Sequence, residues 1–84
     1  MAKGTIRYWA AAKAAAGAAD EPYDARTLAE ALETARRARD GEFARVVSRS
    51  SFLIDGDPVG TRPHEDVELP ENGVVEVLPP FAGG

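Results

Sequence analysis

Apolar residues at the start of the chain follow two different spacings, which predict a strand and then a helix. Residues 5–9 alternate and are rich in β-forming side chains, so they predict a first strand with Ile6 and Tyr8 on one face. Residues 10–16 are almost all alanine, which has the highest helix propensity, and Gly17 is a suitable C-terminal stop. A short helix is therefore expected directly after the first strand.

A second, longer helix is predicted by a capping signal and a buried stripe. Residues 21–24 come first and contain Pro22, which favours an edge strand or an irregular stretch. Thr27 and Glu30 then have the spacing of a capping box. Apolar residues follow at helical spacing: Leu28, Ala31, Leu32 and Ala35. After a break at Asp40-Gly41, three further apolar residues suggest another short helix: Phe43, Val46 and Val47.

The second half of the chain has the alternation of strands. Phe52 and Ile54 alternate before Asp55-Gly56, a pair typical of hairpin turns. Residues 74–78 predict the last strand, and Pro79-Pro80 ends it because proline cannot donate to a ladder. Strands at both ends with the main helix between them predict an α+β domain. If the first and last strands are parallel neighbours, the helix crosses one face of a mixed sheet, which is a β-grasp.

The end of the chain is uncharged and slender. We expect a β-grasp domain over residues 1–78 and a flexible, extended tail over residues 79–84. Such a tail would reach roughly 20 Å at about 3.3 Å per residue. The carboxylate of Gly84 could then enter another protein's active site. The candidate residues are Gly84 for chemistry and, for partner binding, Leu78, Pro79, Pro80, Phe81, Ala82 and Gly83. A frayed tail or an expression remnant is the alternative explanation.

Composition allows one small domain with a modest core. The 84 residues are 44% hydrophobic, but 16 of them are alanine and only 20 are larger Val, Ile, Leu, Phe, Tyr or Trp, apart from Met1. The absence of cysteine excludes disulfides and thiol chemistry and fits a reducing compartment. No apolar run is long enough for a membrane span or a signal peptide, so we expect a cytoplasmic protein.

Charge is unevenly distributed along the chain. Residues 1–49 hold nine Lys/Arg and seven Asp/Glu, whereas residues 50–84 hold one and seven, and the whole chain has a net charge of −4. An acidic half around the tail favours a basic protein partner. It argues against nucleic acid as the main ligand, since phosphate binding needs a basic face.

Other constellations give weaker signals. His64 is the single histidine, so no metal site is predicted and a polar loop is expected there. Asp55 and Asp57 are explained by turn chemistry. The serines at 48, 50 and 51 have no predictable base, which argues against a hydrolase. The arginines between 36 and 49 are expected on helix surfaces, where part of them could bind phosphate.

The closing segment carries a resemblance to a known family. Residues 75–84 read Val-Glu-Val-Leu-Pro-Pro-Phe-Ala-Gly-Gly, which resembles the end of the ubiquitin-like sulfur carriers of the MoaD/ThiS family. The Pro-Pro pair is closer to the MoaD branch, the small subunits of molybdopterin synthase. Trp9-Ala10 is similar to the family's aromatic-Ala start, while Lys13-Ala14 departs from the Arg-Glu common in MoaD proteins.

The resemblance implies a carrier and not an enzyme. A ubiquitin-activating-type adenylating enzyme would use ATP to adenylate Gly84, with no cofactor bound by the carrier. A sulfur donor enzyme would convert the adenylate to a thiocarboxylate, and an acceptor such as the large subunit of molybdopterin synthase would take the sulfur. Thiamine, cysteine, tRNA or secondary-metabolite thiolation remain open as pathways. A ubiquitin-like protein modifier and a non-covalent binding module are the other function classes.

Overall fold

The computed structural model describes residues 1–80, so Phe81, Ala82, Gly83 and Gly84 and their predicted roles lie outside the described residues. The elements are β1 (Ala2–Tyr8), α1 (Ala10–Ala16), β2 (Asp20–Ala25), α2 (Leu28–Arg37), α3 (Gly41–Ser48), β3 (Ser51–Ile54), β4 (Asp57–Pro58) and β5 (Val74–Leu78), with a 3-10 turn at His64–Asp66. The predicted strands and helices are present, but β1 begins three residues earlier than predicted and ends one residue earlier, so that Trp9 caps α1 instead of closing the strand. The division into a domain and a tail stays a prediction.

The five strands form one mixed sheet in the order β2-β1-β5-β3-β4. β1 and β5 are parallel neighbours. The other contacts are antiparallel: β2 pairs with β1, β3 with β5, and β4 with β3. The first and last strands are thus parallel neighbours, which was the condition for a β-grasp, and the predicted β-grasp fold is confirmed. β2 is an edge strand, as Pro22 indicated. Pro22 lies opposite Thr5, between the hydrogen-bonded pairs of the ladder, so its missing N–H would point away from β1.

The core lies between one face of the sheet and the helices. Ile6 and Tyr8 of β1 and Val75 and Val77 of β5 are almost completely buried, because alternate residues of a strand point to the same side. α2 contributes the four apolar residues of its predicted stripe, and α3 contributes Phe43 and Val47. The opposite face of the sheet, which we call the outer face, has no helix packed on it among the described residues.

The start of α2 follows the predicted capping signal with one difference. Thr27 Oγ1 accepts a hydrogen bond from the Glu30 backbone N–H at 3.2 Å. The Glu30 carboxylate accepts from the N–H of Arg26 at 2.9 Å, one residue before the N-cap. Both bonds fix the chain where it enters the helix. None of the helices within residues 1–80 is long and apolar enough to cross a membrane.

Arg39 corrects the expectation that the arginines between 36 and 49 lie on helix surfaces. Its side chain is only 14% exposed, and its guanidinium lies over the rings of Phe43 and Tyr8, at 4.7 and 5.6 Å from their centroids. It donates to the carbonyls of Ala16 and Ala35 and forms an ion pair with Glu21. The helical periodicity ends at Arg37, so sequence spacing could not indicate where the following loop turns. Arg39 joins α1, α2 and β2 at one point.

Candidate functional site

The predicted tail leaves the domain from its middle strand. β5 has β1 on one side and β3 on the other, and both contacts continue to its end. The N–H of Trp9 donates to the Val77 carbonyl at 3.2 Å, and Leu78 lies opposite Ser51. A central strand held from both sides gives the tail a fixed point of departure.

The described part of the predicted site separates into buried and exposed residues. Leu78 is half-buried on the outer face, Pro79 is buried and Pro80 is exposed. The ladder ends here because proline has no N–H to donate. Leu78 and Pro80 are therefore accessible to a partner, whereas Pro79 packs against the domain itself.

Register shows which residues surround Leu78 on the outer face. Glu76 lies beside Arg7 of β1 and Leu53 of β3, and Val74 lies two residues earlier on the same side of β5. Glu76, Leu53, Val74 and Leu78 are all half-buried. The outer face thus has an apolar area that leads towards the end of β5, with a carboxylate at its centre.

Trp9 completes this area and was not predicted as a site residue. Its side chain is 44% exposed, and within residues 1–80 only Met1 is another large hydrophobic residue with such exposure. The indole Nε1–H donates to Glu76 Oε1 at 3.1 Å, which connects the end of β1 to β5. The alternation that buries Tyr8 already puts Trp9 on the opposite side, so the signal was present in the sequence. An exposed indole fixed by a hydrogen bond is a common anchor in protein interfaces.

The weaker sequence signals have structural roles. Asp55 has a φ of 50° in the hairpin turn, as expected for turn chemistry. Its carboxylate also accepts from the Val74 N–H at 2.9 Å, which connects the turn to β5. The hydroxyls of Ser48 and Ser50 donate to backbone carbonyls at the end of α3. His64 lies in the 3-10 turn with its ring edge-to-face on Phe52, so its surroundings are more ordered than the predicted polar loop.

This mixed sheet, with parallel β1 and β5 and the helices on one face, defines a ubiquitin-like β-grasp protein. The chain matches the ThiS family model over residues 6–84 and belongs to that family, which confirms the MoaD/ThiS resemblance. It has the fold of ThiS/MoaD-type sulfur carriers, which are small, generally non-catalytic proteins that act together with other proteins in sulfur transfer. A comparison with curated protein sequences gave no significant match.

Several solved structures with the same fold are those of archaeal proteins. The small archaeal modifier protein 1 (SAMP1) of Methanosarcina acetivorans has a TM-score of 0.84 at 18% identity, covering 100% of this chain and 98% of its own. A Pyrococcus furiosus protein assigned by inference as molybdopterin converting factor, subunit 1, has a TM-score of 0.76 at 22% identity, covering 96% and 100%. SAMP1 of Haloferax volcanii has a TM-score of 0.78 at 17% identity, covering 98% of this chain and 99% of its own. At these identities the likeness is one of fold.

Proposed function

We propose that this protein carries sulfur as a thiocarboxylate on Gly84. The observation that carries the proposal is the match to the ThiS family, which extends to the terminal glycine. The position of β5 supports it, because a tail that starts at the end of a central strand can project away from the domain. The protein would serve as a substrate and subunit of other enzymes.

The chemistry requires activation, since a carboxylate is a poor electrophile. In an adenylating enzyme the Gly84 carboxylate attacks the α-phosphorus of ATP, pyrophosphate leaves, and a mixed anhydride with AMP forms. A sulfur nucleophile such as hydrosulfide then attacks the acyl carbon and AMP leaves, which gives the thiocarboxylate. Glycine suits this position because a slender backbone can pass through a channel that excludes side chains.

The test is intact-mass spectrometry after incubation with ATP, an adenylating enzyme and a sulfur source. The wild-type chain should exchange one oxygen for sulfur. A variant that lacks Gly84, and one with an alanine added after it, should remain unchanged in mass while folding normally. Sulfur incorporation into the extended variant would contradict the proposal, since its carboxylate no longer belongs to Gly84.

We further propose molybdopterin synthesis as the pathway, because the Pro-Pro pair before the tail resembles the MoaD branch. The acceptor would be the large subunit of molybdopterin synthase, with Leu78 and Phe81 covered on binding. Phe81→Ala should weaken this complex by roughly 1–3 kcal/mol, as for a moderate hot spot. Calorimetric titration of the thiocarboxylated chain into that subunit would test it. Binding instead to a thiamine-pathway acceptor would favour the ThiS branch.

A protein modifier is the second candidate, favoured by the fold shared with the two modifier proteins. A modifier uses the same activation but leaves Gly84 in an amide bond to a lysine of another protein. Recovery of the chain from cells distinguishes the two functions. A carrier should be found as free carboxylate or thiocarboxylate, and a modifier mainly in isopeptide linkage.

A further inference from the structure

Glu76 is a carboxylate in an unusual position, the centre of the apolar area on the outer face. Its neighbours on the same side of β5 are Val74 and Leu78, and Leu53 lies beside it on β3. An ionised carboxylate in this position costs little free energy while water reaches it. It becomes costly when a partner covers the face, because an ionised group loses its hydration unless a new donor replaces it.

The carboxylate is fixed by one of its oxygens. Glu76 Oε1 accepts the Trp9 indole N–H at 3.1 Å, while Oε2 has no hydrogen bond to any residue in the range 1–80. Arg7 lies beside Glu76 in register, yet the ion pairs found within that range do not include it. One oxygen is therefore held in place and the other can accept from outside.

The charge around Glu76 indicates what should approach it. The row across the outer face runs Asp20, Arg7, Glu76, Leu53 and Pro58. Arg7 lies between two carboxylates, so the row has an excess of one negative charge, and residues 50–84 as a whole are acidic. A partner with a basic side chain opposite Glu76 would complement this row, whereas a neutral or acidic partner would leave a carboxylate buried without a counter-charge.

We propose that Glu76, positioned by Trp9, selects the adenylating enzyme by accepting a hydrogen bond from one of its basic side chains. This inference rests on the proposed function, because it assumes that such an enzyme acts on Gly84. Arginine fits better than lysine, since a planar guanidinium can donate to the free oxygen and also stack against the exposed indole. Trp9 is a positioning residue that acts through Glu76.

The test is ATP–pyrophosphate exchange with an adenylating enzyme, measured against the concentration of the carrier. Glu76→Gln keeps the shape of the side chain and should raise KM about tenfold with kcat unchanged, since a charged hydrogen bond is lost in docking only. Glu76→Lys should raise KM further, and wild-type KM should rise more steeply with salt than that of Glu76→Gln. Asp24→Asn, on the edge of the same face, is the matched control and should stay close to wild type.

Trp9→Phe keeps an aromatic ring and removes the N–H donor. It should raise KM by a smaller factor, and it should add little in the Glu76→Gln background if Trp9 acts through Glu76. Wild-type exchange with an unchanged KM for Glu76→Gln would overturn this inference and leave the proposed function intact. A complete lack of exchange by wild type would overturn both. A wild-type dimer that Glu76→Lys dissociates would overturn the inference in favour of a second copy of this chain on the face.

Discussion

Replacing Arg39 by alanine should cost this domain much of its stability. The guanidinium donates to the carbonyls of Ala16 and Ala35 at 3.0 and 3.1 Å and forms an ion pair of 3.0 Å with Glu21. It also stacks on two aromatic rings of the core. No other described side chain joins α1, α2 and β2 in this way, so nothing in residues 1–80 replaces it.

The size of the loss follows from the exposure of the groups involved. A hydrogen bond of a charged donor contributes about 1.5–3 kcal/mol when buried, and each cation–π contact about 0.5–1 kcal/mol. Glu21 is 27% exposed, so water recovers part of the lost interaction after truncation. We therefore expect a loss of about 3 kcal/mol. A domain of 84 residues has a total stability of roughly 4–13 kcal/mol, so this is a large fraction.

Urea denaturation followed by circular dichroism measures the effect. With an m-value of about 1.5 kcal/mol per molar, the midpoint for Arg39→Ala should fall by about 2 M. Arg37→Ala is the matched control, because that side chain is 73% exposed and pairs with Glu33 only at 3.5 Å. It should cost less than about 0.5 kcal/mol. Equal midpoints for the two variants would refute the role given to Arg39.

Three further predictions concern the body of the domain. Gly4→Ala should destabilise it by several kcal/mol in urea melts, because the new Cβ would lie 2.4 Å from the Tyr23 ring, whereas Gly41→Ala, with open space around it, should be neutral or slightly stabilising. Burial, and then the hydrogen bond that the hydroxyl donates to the Glu21 carboxylate, raises the pKa of Tyr8. The stability of the domain should therefore be complete below about pH 10 and fall above it, because the unfolded chain loses the Tyr8 proton first. Tyr8→Phe should reduce that fall in thermal melts between about pH 9 and 11. Ala10→Gly should be neutral or stabilising in thermal melts, because Ala10 has a φ of 50°, which glycine adopts more easily than alanine. Elsewhere in a helix the same substitution costs about 1 kcal/mol. A loss of about 1 kcal/mol here would show that the φ of Ala10 carries no strain.

Local patterns predicted the elements because each one is determined by nearby residues. The alternation of Ile6 and Tyr8, the cap at Thr27 and the stop at Gly17 all depend on residues within one turn or strand. The parallel contact of β1 and β5 was compatible with the position of the strands in the chain, since a helix between two strands allows a crossover. These are the parts of the fold that a single sequence can specify.

The contacts that sequence reasoning missed join residues far apart in the chain. Arg39 meets Glu21 across 18 residues, and Trp9 meets Glu76 across 67. No periodicity connects such positions, and they depend on the register of the sheet and on the direction of a loop. For the candidate site, the sequence predicted the end of β5 and the tail, but not the outer face from which a partner would recognise them.

Alternate residues of β5 have different roles: those on one face pack in the core, and those on the other are accessible to a partner. Val75 and Val77 are fully buried in the core, while Glu76 and Leu78 lie on the outer face. Under the proposed function, several enzymes would act on this protein in turn, and the division would help because substitutions on the outer face can change partners without unfolding the domain. The central place of β5 then keeps the start of the tail at a constant distance from Glu76. If the residues after Pro79 extend as predicted, at about 3.3 Å each, Gly84 would come within roughly 20 Å of the end of β5 for any partner that binds the outer face.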